Sequence, residues 1–222
     1  MGVSREQRAR RREASRKRLQ SKSAAALEEL KLRTPAQEVR RRLRAHAPRG
    51  KGLSNELVDS LCRACCSEEY RGAYSADCIP VALATLAHFI VVVNLGVRKH
   101  VFGPLPPGHF VTIAVTPTQV YYLDPYGMPC MQPDVARFLE RCCSLRPRER
   151  KGVRNVQQVQ HLDAVTCGFY AVLFAQVSDR AWTRRVSPAA LLRRLTFYTR
   201  AGDLRKNDKL CKKYIVGMLL SK

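Results

Sequence analysis

Two residues far apart in the chain have the types and settings to make a nucleophile together. His109 directly follows Pro106-Pro107-Gly108 and opens the apolar run Phe110 to Val115. Cys167 stands where the segment Gln160-His161-Leu162-Asp163-Ala164-Val165-Thr166 meets a second apolar run, Cys167 to Val177. A thiolate at a helix N-terminus is stabilised by the free backbone N–H groups and the helix dipole. An imidazole placed beside it to take the thiol proton would make it reactive at neutral pH. Gly168 removes bulk next to the sulfur. Amides near 166–168 point where an oxyanion would form, and Gln160, seven residues upstream, could add a side-chain N–H. Each feature alone also has an ordinary reading. A cysteine before an apolar helix is usually core, and a histidine opening a strand is usually just hydrogen-bonded.

An acid to orient His109 emerges from strand register. Phe110 to Val115 and Val120 to Leu123 read as strands separated by the turn Thr116-Pro117-Thr118-Gln119. A two- or four-residue loop centred there pairs residues whose numbers sum to 235. His109 then faces Tyr126, and Asp124 lies diagonally across on the same face, with Cβ atoms roughly 7–8 Å apart. Asp124-Pro125-Tyr126-Gly127 is otherwise only a turn. His161 is an alternative base, but it sits in a loop six residues from Cys167. His88 and His100 have no comparable acidic neighbour.

The remaining periodicity supplies the frame. Asn55 to Cys66 has helical spacing, with Ser54 as its N-cap. Val81 to Asn94 is apolar and ends in a buried-strand composition. Pro133 to Leu145 reads as a helix with Pro and Asp at its start, and Val153 to Val159 as a short strand or extended segment. Cys167 to Val177 is apolar nearly all round and predicts a central buried helix. Ser187 to Tyr198 and Asp203 to Leu220 read as amphipathic helices. The sum is an α+β domain with a central mixed sheet flanked by helices.

The ordered set His109, Asp124, Gln160, Cys167 resembles the adenovirus-type cysteine proteases (adenain), distant relatives of the SUMO and ubiquitin-like-protein processing proteases. The likeness lies in acid-Pro-aromatic-Gly at Asp124 to Gly127, and in Gln157-Gln158-Val159-Gln160 followed after six residues by Cys167-Gly168-Phe169. Gly72-Ala73-Tyr74-Ser75-Ala76-Asp77 is a looser match. The resemblance implies an adenain-like, papain-like core and a thiol endopeptidase. In it His109 is base and acid, Asp124 orients it, and Gln160 with the Cys167 amide forms the oxyanion hole. It also implies virion precursor proteins as substrates, cut after small residues and often after Gly, in the host nucleus and the virion, with DNA as cofactor. The acid position carries Asp124 where adenain has Glu, as the SUMO-protease relatives do, and Phe110 stands where the family has Trp. Glu149 occupies the place of the cysteine that holds the family's activating peptide, so covalent activation does not carry over.

Charge divides the 222 residues unevenly. Net charge is +22; residues 1–52 hold 17 Lys and Arg against 5 Asp and Glu. This arm clusters Arg8, Arg10, Arg11, Arg12, Arg16, Lys17, Arg18, Arg40, Arg41, Arg42 and Arg44 with few large apolar residues, and only Ala24 to Leu32 reads as a short helix. Its composition predicts a disordered basic arm, residues 1–52, before a folded domain, residues 53–222. Such an arm suits polyanion binding or nuclear import, with Arg10, Arg11, Arg12, Arg16, Lys17, Arg18, Arg41 and Arg42 as phosphate contacts. On charge alone the chain could equally be a non-enzymatic DNA-binding virion core protein. On the fold it could be a deubiquitinase or SUMO-type protease. The nine cysteines are odd in number, and Cys62-x-x-Cys65-Cys66 lacks a matching second pair, so neither a disulfide framework nor a structural zinc site is expected. No apolar run spans a bilayer, the start shows no secretion leader, and Glu6 stands where a myristoylation signal wants Ser or Thr. The expected state is a monomer without membrane attachment or a small-molecule cofactor.

Overall fold

The computed structural model describes residues 52–96, 108–146, 153–154, 157–194 and 203–220. The basic arm with its arginines, the Ala24 to Leu32 helix and His100 lie outside the described residues. The described elements are α1 (Asn55–Cys65), β1 (Tyr70–Ser75), β2 (Phe89–Asn94), β3 (Phe110–Val115), β4 (Val120–Leu123), α2 (Pro133–Ser144), β5 (Val153–Arg154), α3 (Cys167–Thr183), α4 (Pro188–Leu192) and α5 (Leu204–Leu220). Two 3-10 turns, Ala76–Cys78 and Val81–Thr85, bridge β1 and β2. The architecture is α+β, with a mixed sheet in the order β1-β2-β3-β4-β5. β1 runs parallel to β2, β2–β3 and β3–β4 are antiparallel, and two-residue β5 runs parallel to β4.

The sheet separates two apolar layers, and strand alternation decides which residue enters which. Phe110, Ala114, Tyr121 and Leu123 pack with α1, α3 and α5. Val111, Ile113, Val115, Val120 and Tyr122 pack with Val135, Phe138 and Cys142 of α2. Because both faces are covered, Phe89 to Val93 of β2 read as an unbroken apolar run, and all six residues of the strand are buried. α3 lies against the sheet centre, buried from Cys167 through Ser178, and Thr112 donates to the Ala171 carbonyl at 2.9 Å. This fixes the start of α3 relative to β3.

Local chemistry sets several boundaries. Ser54 caps α1 by accepting from the Leu57 N–H, and Gln132 caps α2 through Val135 with Pro133 in the first turn. The Arg146 guanidinium collects four carbonyls, donating to Thr116 and Leu86 at 2.8 Å and also to Ala84 and Cys142. It thereby joins the β3–β4 turn, the segment before β2 and the end of α2.

Three elements differ in detail from the sequence reading. β1 is a strand that the sequence does not announce; its Arg71 and Gly72 break the apolar alternation, and its register with β2 shifts between Tyr70 and Gly72. Within the apolar run Val81 to Asn94, Val81–Thr85 forms a 3-10 turn and the strand composition at its end forms β2. Of the Ser187 to Tyr198 helix, Pro188–Leu192 is helical and residues 195–198 lie outside the described residues.

Candidate active site

Asp124 leaves β4 and enters a tight turn. Its carbonyl accepts from the Gly127 N–H at 2.9 Å, and its Oδ1 accepts from the Tyr126 N–H at 2.7 Å. Gly127 has φ +67°, which favours glycine, and a Cβ there would lie 3.0 Å from the Gln158 nitrogen. The turn is therefore pressed against the segment leading to Gln160. The Pro125 carbonyl completes that seam by accepting from the N–H groups of both Val159 and Gln160, at 2.9 and 3.1 Å.

His109 enters from β3. The strand pairs Thr112–Leu123, Ile113–Tyr122, Ala114–Tyr121 and Val115–Val120 follow the register that the turn length predicts. His109 Nε2 lies 2.8 Å from Asp124 Oδ1, and the imidazole stacks on the Tyr126 ring with centroids 4.5 Å apart. The Asp124 side chain is 3% exposed and that of His109 21%, so water screens the pair weakly. Burial alone would lower the His109 pKa. The Asp124 hydrogen bond and charge, with Cys167 beside the ring, outweigh it and push the pKa up to about 9. With Nε2–H donated to Asp124, Nδ1 is the ring atom left for a proton from the thiol. That nitrogen is buried without a hydrogen-bond partner.

Cys167 is the first residue of α3, where the leading N–H groups have no intrahelical partner. Its thiol rests on the Gly108 carbonyl, Sγ to O 3.6 Å. A Cβ at Gly108 would meet Asn94 Oδ1 at 1.9 Å, so only glycine lets the chain pass there on its way to His109. Gly168 is also closely packed, since a Cβ would meet Leu53 Cβ at 3.0 Å.

Gln160 is fully buried in the loop before α3. Its Nε2 donates to the Ala164 carbonyl at 2.6 Å and, at 3.3 Å, to the Tyr126 hydroxyl. The first bond fixes the amide's orientation. The second is long, and it aims the remaining N–H toward the ring stacked on His109.

The structure thus brings together Asp124, His109 and Cys167, with Gln160 joined to them through Tyr126. His161 is not part of this group; it contacts Asp163 and Arg205. His88 stacks on Trp182 instead. Sequence reasoning places Tyr126 opposite His109 but assigns it no task. It does not anticipate the Gly108 carbonyl, for which Pro-Pro-Gly was the available cue.

No family model matches the chain, and no curated protein matches it. Among solved structures, the central domain of the uncharacterized Lpg1148 protein of Legionella pneumophila is 14% identical. It covers 78% of this chain and 99% of that one, with a TM-score of 0.48. The ASFV pS273R protease is 15% identical over 73% of this chain and 67% of that chain, with a TM-score of 0.47.

Proposed function

We propose that the chain is a thiol endopeptidase. The reading is carried by one observation. A buried carboxylate 2.8 Å from His109 Nε2 leaves Nδ1 unpartnered beside a cysteine at a helix N-terminus. In the proposed reaction, Nδ1 takes the Cys167 proton and the thiolate adds to the scissile carbonyl. The oxyanion is received by the first amides of α3 and by the Gln160 N–H that now reaches Tyr126. Collapse breaks the C–N bond, and His109 returns the proton to the departing amine. Water, deprotonated by the same nitrogen, then adds to the thioester and releases the acid and the Cys167 thiol. Asp124 holds the ring's orientation throughout.

The experiment is alkylation of the intact chain by iodoacetamide across pH, with mass-spectrometric mapping of all nine cysteines. Cys167 is expected to react first near neutral pH, about tenfold or more faster than the exposed Cys78. Equal rates at Cys167 and Cys78 would remove the protease reading. Labelling of Cys167 by a ubiquitin or SUMO vinyl probe would redirect the substrate class to ubiquitin-like proteins.

The finer reading is cleavage of virion precursor proteins during particle maturation in the host nucleus, with DNA as partner. Its support is the residue order His109, Asp124, Gln160, Cys167 and the net charge of +22. Deleting residues 1–50 is expected to leave Cys167 alkylation intact and to weaken DNA binding at low salt, with a shallower salt dependence. Unchanged DNA affinity in that truncation would refute the arm's assignment.

A further inference from the structure

We propose that Asp208 is a positioning residue, one carboxylate on the C-terminal helix that holds both ends of the loop carrying the oxyanion amide and the nucleophile. Asp208 Oδ1 accepts from the Thr166 hydroxyl at 2.7 Å, and its Oδ2 accepts from the His161 N–H at 3.3 Å. Thr166 adjoins Cys167, and His161 adjoins Gln160. Between these points the loop closes on itself, through Gln160 Nε2 to the Ala164 carbonyl and through the Ala164 N–H to the His161 carbonyl. Asp208 is 7% exposed, so its bonds are sheltered from water.

Thr166 adds a second, independent sign. It is the N-cap residue of α3, where a threonine ordinarily accepts from the helix's own leading N–H groups. Here its side chain makes no such bond. Its hydroxyl donates to Asp208 instead, which holds the oxygen away from the helix and leaves the Cys167 and Gly168 N–H groups uncapped by it, the Phe169 N–H being bonded to the Thr166 carbonyl. The helix-capping oxygen is withheld by a residue 42 positions away.

The inference rests on Cys167 being the nucleophile of the proposed protease, and the test separates the two. Iodoacetamide rates at Cys167 are measured across pH for Asp208→Ala, Thr166→Val and Thr166→Ser, with thermal melts alongside. Asp208→Ala and Thr166→Val are each expected to slow Cys167 about tenfold near neutral pH and to move its alkylation profile to higher pH. Thr166→Ser, which keeps the hydroxyl, is expected to behave as the parent chain. If Asp208→Ala does not fold, the two Thr166 variants decide the matter. A fast parent Cys167 whose profile is unmoved by Asp208→Ala, or is moved equally by Thr166→Ser and Thr166→Val, overturns the positioning role alone. A slow parent Cys167 overturns the protease reading and, with it, this extension.

Discussion

A Cys167→Ala chain is expected to cleave a Gly-containing peptide at least about 10⁴-fold more slowly than the parent, because it removes the only atom that forms the covalent intermediate. The fold should survive. The sulfur's bond to the Gly108 carbonyl is a weak one, and loss of one buried sulfur falls within the range of ordinary point substitutions. Matched melting curves with abolished cleavage are therefore the expected pair of results. Cys167→Ser is expected to be nearly as inactive, since a hydroxyl holds its proton far more tightly than a thiol in the same place. A Cys167→Ala chain that still cleaved the peptide would end the hydrolase reading, whatever else the site binds.

Asp124→Asn should have the second largest effect, and its direction follows from the His109 pKa. That pKa is raised to about 9 from an ordinary 6.5, so a proton that Nδ1 takes from the thiol is retained through neutral pH. Activity that needs the His109 proton should fall as pH rises through about 9. In Asp124→Asn the carboxylate's charge is gone, His109 loses its proton at lower pH, and the alkaline limb of kcat/KM moves down. Asn Oδ1 can still accept from both the Tyr126 N–H and the His109 Nε2–H, so the turn and the ring's placement are kept while the charge that stabilises the imidazolium is lost. A rate loss of about 10²–10⁴-fold is expected, as for orienting acids in catalytic triads generally. Linkage gives a matching stability effect. A folded pKa raised above the unfolded value contributes stability that is complete below about pH 6.5 and lost as pH rises through about 9. The melting difference between parent and Asp124→Asn should shrink over that window. An alkaline limb unmoved in Asp124→Asn would show that Asp124 does not set the proton affinity of His109.

The pairing of β3 with β4 is legible in the sequence because side-chain alternation has a period of two and the intervening turn is short. A parity argument then suffices to put Asp124 on the face of His109. α3 is legible because it is apolar on every side and begins abruptly after a polar loop. β1 is not, because a parallel strand with a glycine at φ +132° and a register shift lacks regular alternation. Asp208 is invisible for a different reason. Its meaning depends on where α5 docks, and no local pattern encodes a contact across more than forty residues. Gln160 lies between these cases. Its spacing to Cys167 marks it, but its engagement with Ala164 and Tyr126 belongs to the folded loop.

The carbonyl of Pro125 carries a consequence for anyone who designs ligands against this chain. It grips the amide-bearing segment while its own residue is locked in the turn that presents the acid. Acid and amide therefore travel as one mechanical body. A compound that pries at the amide side will be felt as a changed basicity of the imidazole, even if it never touches that ring.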